Sequence, residues 1–388
     1  MTAAPGSELV FAREEYEARL AGVRRRMAER GVDVLVATDP ANVCWLSGYH
    51  TTTHQWLTPV VLRGDGEPVL LVWREESARP RTWIDRIESY GLDDDPVALA
   101  ARLVGNRGAA GERVALDRGG WFFTEADARR FDAALPGARF ADAAGLVEDG
   151  RRIKSPAEIE VMRHAARAAI AGLEAAIAAV RPGASENDVA AEALAASVRA
   201  GGEYTAIPPY IASGPRAALG NVTWQGRRIE QGDIVYLEIG SAVARYHAAL
   251  TRCVALDEID PRLRAIEDAG AEAMAETLAA MRPGVPVGEV DRIRHAAVSR
   301  SPFGGTPSER TGYAIGIGFA PGWGESRLMS LQASERRPLA AGMTFHVSTF
   351  IQIPGEAGIG LTETVVVTER GGEPLTSYAR RLFVAQGS

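Results

Sequence analysis

A twelve-residue stretch of this chain occurs twice. AAVRPGASENDV at Ala178–Val189 returns as AAMRPGVPVGEV at Ala279–Val290, 101 residues further on. In each copy an alanine-rich helical segment stops at Arg-Pro-Gly, and a second helical segment begins a few residues later. A helix–turn–helix followed by strands, used twice, implies two pseudo-symmetric halves of one domain.

The repeat occupies only the later part of the chain. A length of 388 residues is long for one core and fits two domains, and the pattern changes near residue 150, dividing the chain into 1–150 and 151–388. The first part alternates helix and strand. Ser7–Arg30 places Tyr16, Leu20, Val23 and Met27 near helical spacing, and Val32–Ala37 is a short apolar strand closed by Thr38-Asp39-Pro40. Val60–Val72 reads as a hairpin around Gly64-Asp65-Gly66, Val114–Leu116 as a strand, and Glu125–Ala134 as a helix. This alternation predicts an α/β layer domain. Beyond the boundary, Ser155, Pro156 and Glu158 form a capping-box start for a helix running to Val180.

Composition excludes several partners. The net charge of −7, with no Lys/Arg-rich run, argues against a nucleic-acid or anionic-membrane surface. No apolar run approaches the roughly 20 residues that span a bilayer, and the first twenty residues lack the pattern of a signal peptide. Only Cys44 and Cys253 are present, far apart, which fits a reducing cytoplasm.

Two longer strings carry a resemblance. EYEARLAGVRRRMAERGVDVLVATDPANVCWLSGY (Glu15–Tyr49) and GDIVYLEIGSAVARYHAALTRC (Gly232–Cys253) resemble the creatinase/aminopeptidase P family, the M24 or pita-bread enzymes. The resemblance implies an α/β N-terminal domain plus an α+β pita-bread C-terminal domain, creatinase-like throughout. Metal-dependent members hold two divalent ions with two aspartates, a histidine and two glutamates. Carried onto this chain, those positions are Glu238, Ala249, Tyr313 in RTGYAIGIG, Ser348 in MTFHVSTF, and Thr362 or Glu363 in GLTETVVVT. At most two carboxylates remain, whereas a stable site needs three or more protein donors, so neither a metal nor another cofactor is expected.

The chain is most similar to the metal-independent, ectoine hydrolase-like members. Thr223-Trp224, Glu238-Ile239-Gly240, Arg245-Tyr246-His247, GYAIGIGFAPGWGE at Gly312–Glu325, Met343–His346 and Thr362-Glu363-Thr364 carry that likeness. It implies cleavage of a C–N bond in a small cyclic amidine or amide or a zwitterionic amino-acid derivative, or the reverse cyclisation. It also implies a homodimer whose N-terminal domain reaches the partner's site through CWLSGYHTTTHQW, with His50, His54 and Trp56 as candidate contacts. Gly48 and three consecutive threonines argue against a helical His50–His54 metal pair.

Each candidate has two readings. Glu238 is the leading nucleophile or base, or a structural acid bonded across its hairpin. Glu363 orients or protonates the leaving nitrogen, or faces outward. Tyr313 donates to developing oxyanion charge, or packs. His247 and His346 contact substrate, or are satisfied core residues. Arg252 grips a substrate carboxylate, or forms a structural ion pair. Trp224 and Trp323 line an apolar wall, or fill core. Asn221 stands where the metal-free relatives hold a histidine and can only exchange hydrogen bonds, and Thr349-Phe350 replaces the family's Pro-Gly. These departures point to a different substrate, in a biosynthetic setting. The alternatives are a pita-bread pseudoenzyme that binds a ligand or protein, and an Xaa-Pro metallo-aminopeptidase, which Ala249 opposes.

Overall fold

The structure is a computed structural model describing residues 8–105, 109–256, 259–301, 310–353 and 356–385. It divides into two compact units, Met1–Arg151 and Arg152–Ser388.

The first unit holds one sheet: β1 (Val34–Ala37), β2 (Val60–Arg63), β3 (Val69–Val72), β4 (Arg86–Ser89), β5 (Arg113–Leu116) and β6 (Arg139–Asp142), in the order β4-β3-β2-β1-β5-β6. β1 runs parallel to β5 and antiparallel to β2. The first helix spans Arg13–Glu29 and buries Tyr16, Leu20, Val23 and Met27; Ser7, where the sequence reading began it, lies outside the described residues. Asp39 caps the helix Pro40–Ser47, its carboxylate accepting from the Ala41 and Asn42 amides. The strands β4 and β6 escape the sequence reading because RIES and RFAD are edge segments with exposed or half-buried residues and little apolar alternation.

In the second unit the sequence repeat is a structural repeat. The helix pair Pro156–Ala179 and Glu186–Arg199 is matched by Pro261–Ala280 and Val287–Val298, so the break at 179/186 recurs at 280/287. Each turn uses a left-handed glycine, Gly183 at φ 82° and Gly284 at φ 84°. The amide of Gly183 donates to the Ile229 carbonyl, and that of Gly284 to Leu339.

The strands of this unit are β7 (Tyr210–Ser213), β8 (Ile234–Val243), β9 (Tyr246–Ala255), β10 (Gly312–Phe319), β11 (Gly322–Gly324), β12 (Ser330–Leu331), β13 (Thr344–Ile353), β14 (Ala357–Thr368), β15 (Gly371–Pro374) and β16 (Phe383–Val384). The main path β11-β10-β13-β14-β9-β8-β7 sets one half, β10-β13-β14, beside the other, β9-β8-β7. Thr362 of β14 meets Thr251 of β9 at the junction.

Strand alternation sorts the residues by face. Val235, Leu237, Ile239, Leu250 and Val254 pack against Leu173, Ala176 and Val189 of the first helix pair. Phe345, Val347, Leu361, Val365 and Val367 pack against Met274, Leu278 and Val290 of the second. The residues between them turn to the opposite face, and the candidate site lies there.

Candidate active site

That face borders a cleft of about 1070 Å³. Glu238, on β8, is 6% exposed and lines it. The Tyr236 hydroxyl donates to Glu238 Oε2 at 2.7 Å, and burial together with the Glu238 charge holds the Tyr236 phenol well above its ordinary pKa. Oε1 lies 3.6 Å from His346 Nε2, beyond hydrogen-bond length but within reach of a small ring movement. The other ring nitrogen, His346 Nδ1, is buried without a hydrogen-bond partner among the described residues.

Tyr313 and Trp323 complete this end. The Trp323 indole donates to the Tyr313 hydroxyl at 3.0 Å, which leaves the phenolic proton available to a ligand. Burial, and then the nearby Glu238, raises the Tyr313 pKa, so the phenol stays protonated. The Tyr313 and His346 ring centres are 5.4 Å apart. Two glycines admit these aromatics. A Cβ at Gly240 would stand 2.4 Å from the Trp323 ring, and one at Gly324 would stand 2.7 Å from Tyr313. Serine and threonine hydroxyls form the remaining floor, with Ser348 lining the cleft and Thr362 donating to Thr251 at 2.8 Å.

The arrangement has known counterparts. The model of metallopeptidase family M24 matches residues 160–369, and that of the creatinase/prolidase N-terminal domain matches residues 19–153. The chain belongs to family M24. It is 35% identical to the ectoine hydrolase of Halomonas elongata, over 97% of this chain and 98% of that protein. An uncharacterized hydrolase/peptidase of Sinorhizobium fredii is 30% identical over 97% of this chain and 99% of its own. Among solved structures, the dipeptidase PepE from Mycobacterium ulcerans superposes with a TM-score of 0.82 at 26% identity, covering 96% of this chain and 99% of that one. The prolidase from Pyrococcus horikoshii does so at 0.83 and 21%, covering 94% and 100%. The creatinase-type N-terminal domain and the pita-bread second domain are thus both present, and the chain is a member of a hydrolase family.

The residues that face the cleft do not supply the donors that the family's metal chemistry needs. Strand pairing sets Glu238 opposite Thr251, Gly240 opposite Ala249, and Ser348 opposite Thr362. The ambiguous last position is therefore Thr362, since Glu363 alternates to the other face. The donor set reduces to one carboxylate, a phenol, two aliphatic hydroxyls and a methyl group. Trp323 covers Gly240, the partner of Ala249, so an aromatic ring lies beside the missing aspartate. Two divalent ions do not fit these residues. Among the described residues no group of three or more His, Cys, Asp or Glu side chains is placed to hold a metal ion.

Several sequence expectations are corrected by position. Glu363 does not line the cleft; it is fully buried on the helix side, bonded to Arg252 at 3.0 Å and Arg380 at 2.9 Å. Arg252, expected to grip a carboxylate in the substrate, gives its donors to Glu363 and to the carbonyls of Thr362, Tyr378 and Ala379. His247 is buried, with Nε2 accepting from the Ala206 amide at 3.0 Å and Nδ1 2.8 Å from the Arg245 carbonyl. Those bonds select the Nδ1–H tautomer, and burial, then the Arg245 charge, pushes the ring down to about 3. Trp224 packs on the first helical core instead of the cleft. Asn221 does border the cleft, exposed and at φ 49°. In the first unit His54 sits edge-on to Phe122 at 4.8 Å, and Trp56 stacks on Trp73 at 5.2 Å.

The sequence reading missed Tyr236, Tyr210, Asp291, His295 and Arg310, which line the cleft, and Thr251, which accepts from Thr362 beneath it. Tyr236 and Thr251 carried a usable signal, because each stands two residues from a family ligand position in a regular strand. The others come from elements that only folding brings near.

Proposed function

We propose that this chain is a metal-independent hydrolase that opens a C–N bond of a small cyclic amidine or amide, or of a zwitterionic amino-acid derivative, or runs the reverse ring closure. The observation that carries the reading is Glu238, buried at the cleft floor beside a histidine 3.6 Å away and with no arginine or lysine paired to it among the described residues. A carboxylate so placed serves as nucleophile toward the electrophilic carbon, or takes a proton from the attacking water. In the nucleophilic route an Oε–C bond forms, the C–N electron pair leaves with nitrogen, and water then cleaves the resulting mixed anhydride, or acyl imidate where the substrate is an amidine, to free Glu238. His346 carries the proton to the leaving nitrogen, and Tyr313 donates to the charge that develops on the substrate. Asn221 supplies a neutral hydrogen-bonding edge to the ligand. The ectoine hydrolase likeness supports this substrate class.

We further propose a homodimer in which His50, His54 and Trp56 approach the partner's cleft, and a cytoplasmic setting consistent with two buried free cysteines. No described helix is long and apolar enough to cross a membrane.

The test compares wild type with Glu238→Gln on a panel of cyclic amidines and lactams, alongside metal analysis of the purified protein. Wild-type turnover, lost in the variant and with no stoichiometric manganese, cobalt or zinc, is the expected result. A bound metal pair would overturn metal independence. Ligand binding with no turnover by either protein on any compound would make the cleft a binding site only.

A further inference from the structure

The cleft is electrically polar. Its floor carries the carboxylate of Glu238, while its rim carries two arginines, Arg292 and Arg310, with His295 beside them. Arg292 is engaged by Glu289 on its own helix, and His295 Nε2 faces Asp291 at 3.6 Å. Arg310 differs. Its Nη1 donates to the neutral Ser330 hydroxyl at 3.0 Å, its guanidinium carbon lies 4.6 Å from the Tyr313 ring centre, and no carboxylate pairs with it among the described residues.

Arg310 is also held in place from both sides. The neighbouring Thr311 amide and hydroxyl both donate to the buried Asp291 carboxylate, at 3.0 and 2.7 Å. Ser330 stands directly opposite Tyr313 in the strand pairing, so the group that anchors Arg310 belongs to the element that backs the reactive phenol. A planar guanidinium over an aromatic face, with donors to spare, is suited to a bidentate grip on a carboxylate. The charge at Glu238 repels an anion from the floor and so leaves the rim as its place.

We propose that Arg310 binds a carboxylate of the substrate and thereby orients the molecule with its C–N bond toward Glu238, making the preferred ligands small ring compounds that bear an anion. This rests on the reading of Glu238 as the working acid, because it assigns the far end of the ligand to that residue. Arg310 is then the specificity-determining contact, and a ring lacking the carboxylate binds without fixed direction.

The experiment measures binding by calorimetry of two matched pairs: pyroglutamate against pyrrolidinone, and ectoine against the same methylated tetrahydropyrimidine ring without its carboxylate. Wild type should bind at least one acid about 10- to 100-fold more tightly than its neutral partner, the range of a charge-assisted hydrogen-bonded pair. Arg310→Gln should erase that difference by weakening the acid alone, and Arg310→Lys should restore part of it. An unchanged melting temperature shows that the exposed substitution leaves the fold intact. Equal loss for acid and neutral ring, an undiminished preference in Arg310→Gln, or no binding of either acid by wild type overturns the proposal. Turnover by Glu238→Gln is followed in parallel. If it equals wild type while Arg310→Gln loses the preference, the anion site stands and the reading of Glu238 as the working acid falls. If turnover is lost while the preference survives in Arg310→Gln, the hydrolase reading stands and the anion site falls.

Discussion

Glu238 and Glu363 are both buried in strands of the same sheet, yet their surroundings differ in kind. Glu363 lies between two arginines, with Arg252 itself only 1% exposed at its side chain. Glu238 has a phenol on one oxygen and a histidine 3.6 Å from the other. A buried carboxylate saturated by cations is part of the framework, because removing either partner strands a charge in a low-dielectric interior. A buried carboxylate with no arginine or lysine paired to it among the described residues, and open to a cleft, remains available to a ligand. The face of the strand, and not the residue type, separates the two roles.

The comparison breaks most decisively at activity. Glu238→Gln should lower kcat by about 10³-fold or more, from the loss of a nucleophile or base, with a melting temperature close to wild type. If Glu363→Gln were as damaging to kcat at unchanged stability, the division of roles would be wrong. The next effect is on stability. Glu363→Ala should destabilise the protein by about 3–5 kcal/mol, the cost of leaving Arg252 buried and unpaired, seen as a shift in denaturant midpoint or as insoluble protein. A loss under 1 kcal/mol would show that the arginines find other partners.

Smaller effects sharpen the same contrast. Tyr313→Phe keeps the ring that packs beside His346 and removes the donor, so kcat should fall about 100-fold, toward the lower end of the range for one transition-state donor. A change confined to KM would make Tyr313 a binding contact. The smallest expected change is none. The folded-state pKa of His247 is pushed down to about 3, below the roughly 6.5 of an exposed histidine. The stability this ring contributes is therefore full above pH 6.5 and declines as pH falls toward 3. Its ring resonances should stay unmoved between pH 8 and 5, and a titration midpoint near 6.5 would show that it reaches solvent.

Much of this was legible before folding. The helix breaks at Arg181-Pro182-Gly183 and Arg282-Pro283-Gly284 announce the duplication, since Pro and Gly act through their own backbone. The Ser155 capping box lies where the local pattern puts it, with both reciprocal bonds formed. The candidate site was legible only in part. His247 and His346 both read as strand histidines, yet one has each ring nitrogen engaged by backbone and the other lines the cleft with Nδ1 lacking a hydrogen-bond partner among the described residues. Arg310 carried no signal, because its meaning comes from Tyr313, Ser330 and the pairing of the neighbouring Arg292 with Glu289.

What the sequence determined by itself is the two-half architecture and the absence of a donor at Ala249, both properties of residue types that hold in any environment. What only the tertiary structure decided is direction. Thr362 and Glu363 are adjacent in one β-branched run, and a register shift of one residue would exchange their faces. That register is set by Thr251 and Ser348 on the neighbouring strands, and pairing between distant segments is a property of the packed sheet that no local pattern encodes.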